Sequence, residues 1–397
     1  MATLLFGDSD KNPALTGNKK GKNQTLLGTD NDSINIILGD VGFMFDSSKG
    51  GHDTLQGGNN SAGRLINALI GDAAVMFDSA KGGNDSLQGG NNSGLMLVNG
   101  LAGDAALMLD STKGGNDSLQ GGNNSSGVLI NGLTGDAVVM LNSAKGGNDS
   151  LQGGNNSDGM LTNVLVGDAI AILNDSQGGN DTLWGGGNLG TGIVTNHLYG
   201  DARYINDSAQ LGDDRLISGS NATDHMYGDA KNLISEGSDI INDILDVIKM
   251  FALTPDAPSL NIDTIVSINA LGSFPQVQEN KIDPNAFGIN SFDDPNTIMN
   301  SLNKIFSSDE DLIFNNVKSG GTDTFVFNDY FGNDYIHDFR QSDGDKIEFK
   351  VTGVDSFDDL MINENGSNTI IEVQGHGIVT LVGITGVDLS GDIDFMV

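Results

Sequence analysis

The sequence predicts an all-β solenoid of 32-residue coils, interrupted by a partly helical insert and closed by a carboxyl-terminal β cap. Three observations predict it. The phrase Gly-Gly-Asn-Asp-Ser-Leu-Gln-Gly-Gly-Asn-Asn-Ser starts at Gly82, Gly114 and Gly146, and near-copies start at Gly50 and Gly178, so five starts follow at 32 residues. A period this strict marks one supersecondary unit stacked on itself, since a single unit cannot bury its own apolar face. Each unit holds two x-Leu-x-Gly phrases, which read as short strands ending in glycine turns. Their leucines recur at 55, 87, 119, 151 and 183, and at 69, 101, 133, 165 and 198. Third, no proline occurs between Pro13 and Pro255.

The elements follow in order. Residues 1–230 form the repeat solenoid. It opens irregularly at Leu26-Leu27-Gly28 and Leu38-Gly39-Asp40 and fades after Leu216, with a last Gly-Asp at Gly228-Asp229. About seven coils are predicted, at roughly 4.8 Å each, the spacing of neighbouring strands. Their leucines are expected to point inward as two facing ribs. After each Gly-Asp comes a further apolar run, such as Val75-Met76-Phe77 or Leu107-Met108-Leu109. Met44, Met76, Met108 and Met140 form a column in it, continued by Ile172 and Ile205. Either the coil is wide enough to fold this extra strand over itself, or the column is an exposed apolar stripe for association.

Residues 231–319 change character. Five of the six prolines fall there, and Ile240, Ile241, Ile244, Leu245, Ile248 and Phe251 have helical spacing, as do Ile298, Leu302, Ile305 and Phe306. From Gly320 to Val397 short β-runs return: DTFVF, KIEFKV, NTIIEV and GIVTLVGI.

Composition narrows the function. The net charge is −34, from 53 acidic and 19 basic side chains. That sign opposes nucleic-acid binding and attraction to an anionic membrane. No apolar stretch reaches 18 residues, so no transmembrane segment is expected. Without cysteine there is no disulfide, thiolate metal site or cysteine nucleophile.

The aspartates stand in columns. Asp53, Asp85, Asp117, Asp149, Asp181 and Asp214 share one repeat position. Asp40, Asp72, Asp104, Asp136, Asp168, Asp201 and Asp229 share another, just after the Leu-x-Gly strand. A third column, Asp46, Asp78, Asp110, Asn142, Asn174 and Asp207, alternates with amides. Charges stacked at about 4.8 Å repel by ~0.9 kcal/mol in water and ~3.5 kcal/mol at an effective dielectric of 20. A column survives if a multivalent cation sits between its carboxylates, or if the side chains splay into solvent. Gly-Gly turns aim backbone carbonyls at one point, and carbonyl and carboxylate oxygens suit calcium. The metal candidates are therefore the first column, with Asp72, Asp104, Asp136 and Asp168 from the second. The glycines Gly83, Gly115, Gly147, Gly89, Gly121 and Gly153 complete the repeat sites, and solvation is the simpler reading of the third column.

These phrases resemble the repeats-in-toxin (RTX) family, whose nonapeptide is Gly-Gly-x-Gly-x-Asp-x-apolar-x. In Ala80-Lys81-Gly82-Gly83-Asn84-Asp85-Ser86-Leu87 the glycine before Asn84, the Asp and the Leu match, while Ala80 and Lys81 replace the opening glycines. The next turn has its Gly89-Gly90 pair, but Asn99 stands where the family has Asp. The stretch GGTDTFVFNDYFGNDYIHDFRQSDGDKIEF is similar to the family's terminal cap, with Asp323, Asp334, Asp338, Asp343 and Asp345 at acidic motif positions. Asp394-Phe395-Met396-Val397 resembles a type I export signal. The resemblance implies a calcium-bound parallel β-roll, further metal ligands at Asp323 and Asp334, and bacterial type I secretion to the cell surface or medium. It leaves 231–319 unexplained.

No enzyme motif emerges. His52, His197, His225, His337 and His376 form no His-Glu-x-x-His, and there is no Gly-x-Ser-x-Gly elbow or P-loop. The expectation is a secreted, calcium-binding structural protein of matrix, surface-layer or adhesive type, not an enzyme. Its expected partners are calcium ions and either further copies of itself or a cell-surface polymer. The alternative is a secreted enzyme or toxin whose active part is the 231–319 insert.

Overall fold

Each coil has three strands, and the coils stack into three largely parallel sheets. A computed structural model describes residues 2–8, 14–31, 34–205, 208–233 and 320–396. The long side carries strands such as Arg64–Ile70, Met96–Ala102 and Val128–Thr134. The middle side carries Ala73–Met76, Ala105–Met108 and Ala137–Met140. The short side carries Thr54–Gln56, Ser86–Gln88 and Ser118–Gln120. Pairing is in register with the repeat: Leu69 faces Leu101, Met76 faces Met108 and Leu87 faces Leu119.

The long strands are buried on both faces, which is why they read as near-continuous apolar runs rather than alternating ones. On one face Leu69, Leu101 and Leu133 meet Leu55, Leu87 and Leu119 of the short side in one cluster, the two facing ribs expected from the sequence. On the other, Ile66, Ala68 and Ile70 meet Val75 and Phe77 around the Gly71-Asp72 turn. The extra strand thus folds onto the coil as its own sheet. Met44, Met76, Met108, Met140 and Ile172 are fully buried, against Ala73, Ala80, Ala105 and Ala137. The exposed-stripe reading of the methionine column is therefore set aside: its side chains fill the space that the small alanines leave.

The long and short sheets continue into the carboxyl-terminal cap, whereas the middle sheet ends at Ala230–Leu233. Arg215–Ile217 pairs with Thr324–Asn328, which pairs with Lys346–Lys350 and then with Ile393–Phe395. Thr223–Tyr227 pairs with Gly332–Ile336, which pairs with Gly377–Leu381. An antiparallel hairpin, Leu360–Asn365 with Asn368–Val373, ends the long sheet. Phe325, Phe327, Phe331 and Phe349 take over the core from the leucines. The helical spacings expected within 231–319 lie outside the described residues; among those, the only helical element is a 3-10 turn, Phe357–Asp359.

Candidate metal centre

The two aspartate columns meet inside the stack. The second column sits in the turn between long and middle sides, and the first in the Gly-Gly-Asn-Asp turn that leads into the short side. One oxygen each of Asp40, Asp53 and Asp72 lie within 4.8 Å of one another. Glycine is required where the turns close on the carboxylates. A Cβ on Gly82 would stand 1.5 Å from Asp104 Oδ1, and one on Gly83 1.6 Å from the Gly51 carbonyl oxygen.

Most of these carboxylates are half-satisfied; at Asp104 both oxygens accept from the Gly115 N–H. In the first column Oδ1 accepts a backbone N–H from the preceding coil: Asp53 donates to Asp85 (2.6 Å), Asp85 to Asp117 (2.6 Å) and Asp117 to Asp149 (2.7 Å). In the second, Gly51 donates to Asp40 (2.7 Å), Gly83 to Asp72 (2.8 Å) and Gly147 to Asp136 (2.8 Å). The other oxygen is buried without a hydrogen-bond partner at Asp53, Asp85, Asp117, Asp149, Asp181 and Asp214, and likewise at Asp40, Asp72, Asp136, Asp168 and Asp201. Burial raises these carboxyls above their ordinary 3.8: Asp40 to about 6 and Asp149 to about 8. Asp72 and Asp104 are also raised, by burial first and then by facing carboxylates, Asp85 and Asp104 for the one and Asp117 and Asp136 for the other. Burial again leads at Asp117 and Asp181.

A buried oxygen that nothing donates to, repeated coil after coil beside others like it, fits a hard cation. A divalent ion would replace the missing donors and cancel the repulsion, and calcium takes six to eight such oxygens. The residues that would hold it are the paired members of the two columns.

The opposite corner of the coil solves the same turn without charge. Asn67 accepts from the Gly58 N–H (3.0 Å), donates to the Gly58 carbonyl (2.8 Å), and donates to Asn99 Oδ1 (2.8 Å). The pattern repeats through Asn99, Asn131, Asn163 and Asn196, and ends on Asp224, which accepts from Asn196. An amide both donates and accepts, so this ladder completes itself. A carboxylate cannot.

The expected site residues divide accordingly. Asp53, Asp85, Asp117, Asp149, Asp181, Asp214, Asp72, Asp104, Asp136 and Asp168 come together with Gly83, Gly115 and Gly147. Gly115 donates to Asp104 at 3.0 Å. Asp323 extends the first column, accepting from the Asp214 N–H (2.9 Å) across the insert. Gly89, Gly121 and Gly153 lie instead beside Asn99, Asn131 and Asn163. Asp334 lies in the amide register, accepting from the Asp224 N–H (3.1 Å). The third column is a conformational one: Asp46, Asp78, Asp110, Asn142 and Asn174 all have φ between 60° and 71°, the left-handed region that Asp and Asn tolerate. Asp207 lies outside the described residues.

Several members were not in the expected set. Asp40 and Asp201 carry the same orphaned oxygens, and Asp345 continues the first column by accepting from Asp323 (3.1 Å). The 32-residue step signals Asp40; Asp345 stands in the acidic cap motif, but the break at 231–319 hides its place in the first column. The asparagine ladder was also missed, although Asn67, Asn99, Asn131 and Asn163 recur at the repeat step.

Neither a family model, nor a curated protein, nor a solved structure matches the chain. Among the described residues no helix is long and apolar enough to cross a membrane.

Proposed function

We propose that this chain is a secreted structural protein that folds on calcium, using the repeated aspartate pairs as a distributed, cooperative metal site. The observation that carries the reading is the row of buried carboxylate oxygens with no donor. No single pocket chemistry would need that arrangement repeated over successive coils, whereas a load-bearing or surface-forming rod would. The RTX resemblance adds type I export. Folding pairs Asp394 with Glu348 and Phe395 with Phe349, so an export signal there is read on the unfolded, calcium-free chain. Assembly into matrix or surface material is the expected next step. Among the described residues, strands Ala2–Phe6, Ala14–Leu15 and Thr25–Leu27 are terminal in the three sheets, and a strand edge left unpaired would favour pairing with another chain.

Calorimetric and circular-dichroism titration with calcium tests the reading. Several ions should bind cooperatively as β-structure appears, because only the native state offers the sites. Magnesium, which is smaller and holds its waters, should substitute poorly. A chain fully folded in excess chelator at neutral pH, with unchanged melting on adding calcium, would refute it.

A further inference from the structure

Along the Gly-Gly-Asn-Asn-Ser turns runs a groove of about 450 Å3, which neither the metal nor the assembly reading uses. We propose that it binds an extended, uncharged polysaccharide chain, one sugar ring to a coil. Its outer row is Asn59, Asn91 and Asn123, and its other bank is Ser61, Ser93 and Ser125. Between them the floor is fixed: Asn60 donates to Asn92 (2.8 Å), Asn92 to Asn124 (3.0 Å) and Asn124 to Asn156 (3.0 Å).

The outer row is oriented by the backbone. The Asn91 N–H donates to Asn59 Oδ1 (2.9 Å), the Asn123 N–H to Asn91 Oδ1 (2.8 Å) and the Asn155 N–H to Asn123 Oδ1 (2.8 Å). With Oδ1 committed, the exposed Asn91 and Asn123 of the lining have their amide NH2 groups left to donate. On the other bank Ser93 and Ser125 donate to the Asn60 and Asn92 carbonyls (3.4 and 3.2 Å), leaving hydroxyl lone pairs outward. The groove thus offers donors on one bank and acceptors on the other, in steps of one coil. A hydroxyl both accepts and donates, so a sugar chain satisfies both banks.

Geometry and charge narrow the ligand further. From Asp30 to Ser157 the groove spans five coils, or ~19 Å at the coil spacing. An extended polypeptide repeats on one face every ~6.8 Å and would lose register within two coils. Asp30 is the one charged residue in the lining, and on a chain of net charge −34 that disfavours an acidic polymer. No aromatic ring lines the groove, so affinity comes from hydrogen bonds and register, and short oligomers should bind weakly.

The test titrates a β-1,4-glucan hexasaccharide, a straight ribbon, into the full calcium-loaded chain, with the helical α-1,4-hexasaccharide alongside. The diagnostic variant is Asn91→Asp with Asn123→Asp. A carboxylate already holds this position at Asp30, where it accepts the Asn59 N–H at 2.6 Å, so the fold should persist while the outward donors are lost. Saturable binding of the straight ribbon, weakened at least ~tenfold in the variant with unchanged melting, supports the proposal. Should the aspartates perturb folding, Ser93→Ala with Ser125→Ala removes two serines of the acceptor bank and is expected to weaken binding likewise. No saturation by about 10 mM hexasaccharide, or equal binding by a folded variant, overturns it. Calcium-dependent folding would stand in either case, so the two readings fail separately.

Discussion

Raising the pH without calcium should unfold the repeat array. Asp149 is held at about 8 by burial, against 3.8 for the free carboxyl. Its native pKa lies above its unfolded one, so the native state binds more protons between these values and loses stability as pH climbs through them. At ~1.36 kcal/mol per pH unit, this one ionisation opposes folding by about 6 kcal/mol once complete. A whole domain is typically stable by only ~5–15 kcal/mol. Asp72, Asp85, Asp104, Asp117, Asp136, Asp168, Asp181, Asp201 and Asp214 are raised in the same direction, each chiefly by burial. A few of them suffice to outweigh the leucine and methionine cores. The expected behaviour in chelator is β-structure near pH 5 that is lost by pH 8, with expansion of the chain. Calcium should restore the fold at pH 8, and its midpoint should move to higher concentration as protons compete at lower pH. Far-UV circular dichroism and gel filtration across pH 5–8, with and without calcium, measure both. A calcium-free spectrum and elution volume constant over that range would refute the electrostatic argument.

Three substitutions probe the same physics locally. Asp117→Asn keeps an acceptor for the Asp85 N–H but removes a buried charge. It should shift the pH midpoint of unfolding in chelator upward, since one buried ionisation is removed, yet raise the calcium concentration needed for half-folding. The same effect in both conditions would mean that Asp117 holds no metal. Asn99→Asp removes the donor to the Gly90 carbonyl and to Asn131 and should cost ~2–5 kcal/mol in calcium, measured by thermal unfolding. Met108→Lys buries a charge in a fully enclosed position and should abolish cooperative unfolding even in calcium; a folded variant with native melting would place the methionine column back on the surface.

The coil was legible because its signals are periodic. Leu69 and Leu87 recur at the same step and fall in the same cluster, so period alone gave two of the three sides. The third side was harder. Val75-Met76-Phe77 is apolar on both faces, and one sequence cannot say whether another strand covers it. The alanines at 73, 80, 105 and 137 hold the answer, since small residues in register leave room for methionine. The third acidic column, left out of the metal candidates, has a conformational role: at φ near 60° Asp and Asn serve a turn equally, so charge at Asp78 carries no message about metal. The cap's role as further coils was hidden by 231–319, because a period broken by that many residues no longer announces that Asp323 follows Asp214.

The contrast between the two Gly-Gly corners argues for the metal more strongly than either does alone. Both place a short polar side chain under a glycine pair, in the same kind of turn and at the same repeat step. Where the side chain is Asn67, each amide hands its proton to the next and the stack closes on itself, so its uncharged groups are buried with partners. Where it is Asp72, the same geometry leaves one carboxylate oxygen without a donor, as it does at Asp40, Asp136, Asp168 and Asp201, and sets like charges beside each other. Replacing aspartate with asparagine throughout would have given a self-sufficient rod. A chain that carries the self-sufficient solution at one corner and the deficient one at the other would, on the proposed calcium reading, make its folding conditional at the second corner alone. On that reading the condition is the supply of a divalent cation, and the asparagine corner needs none.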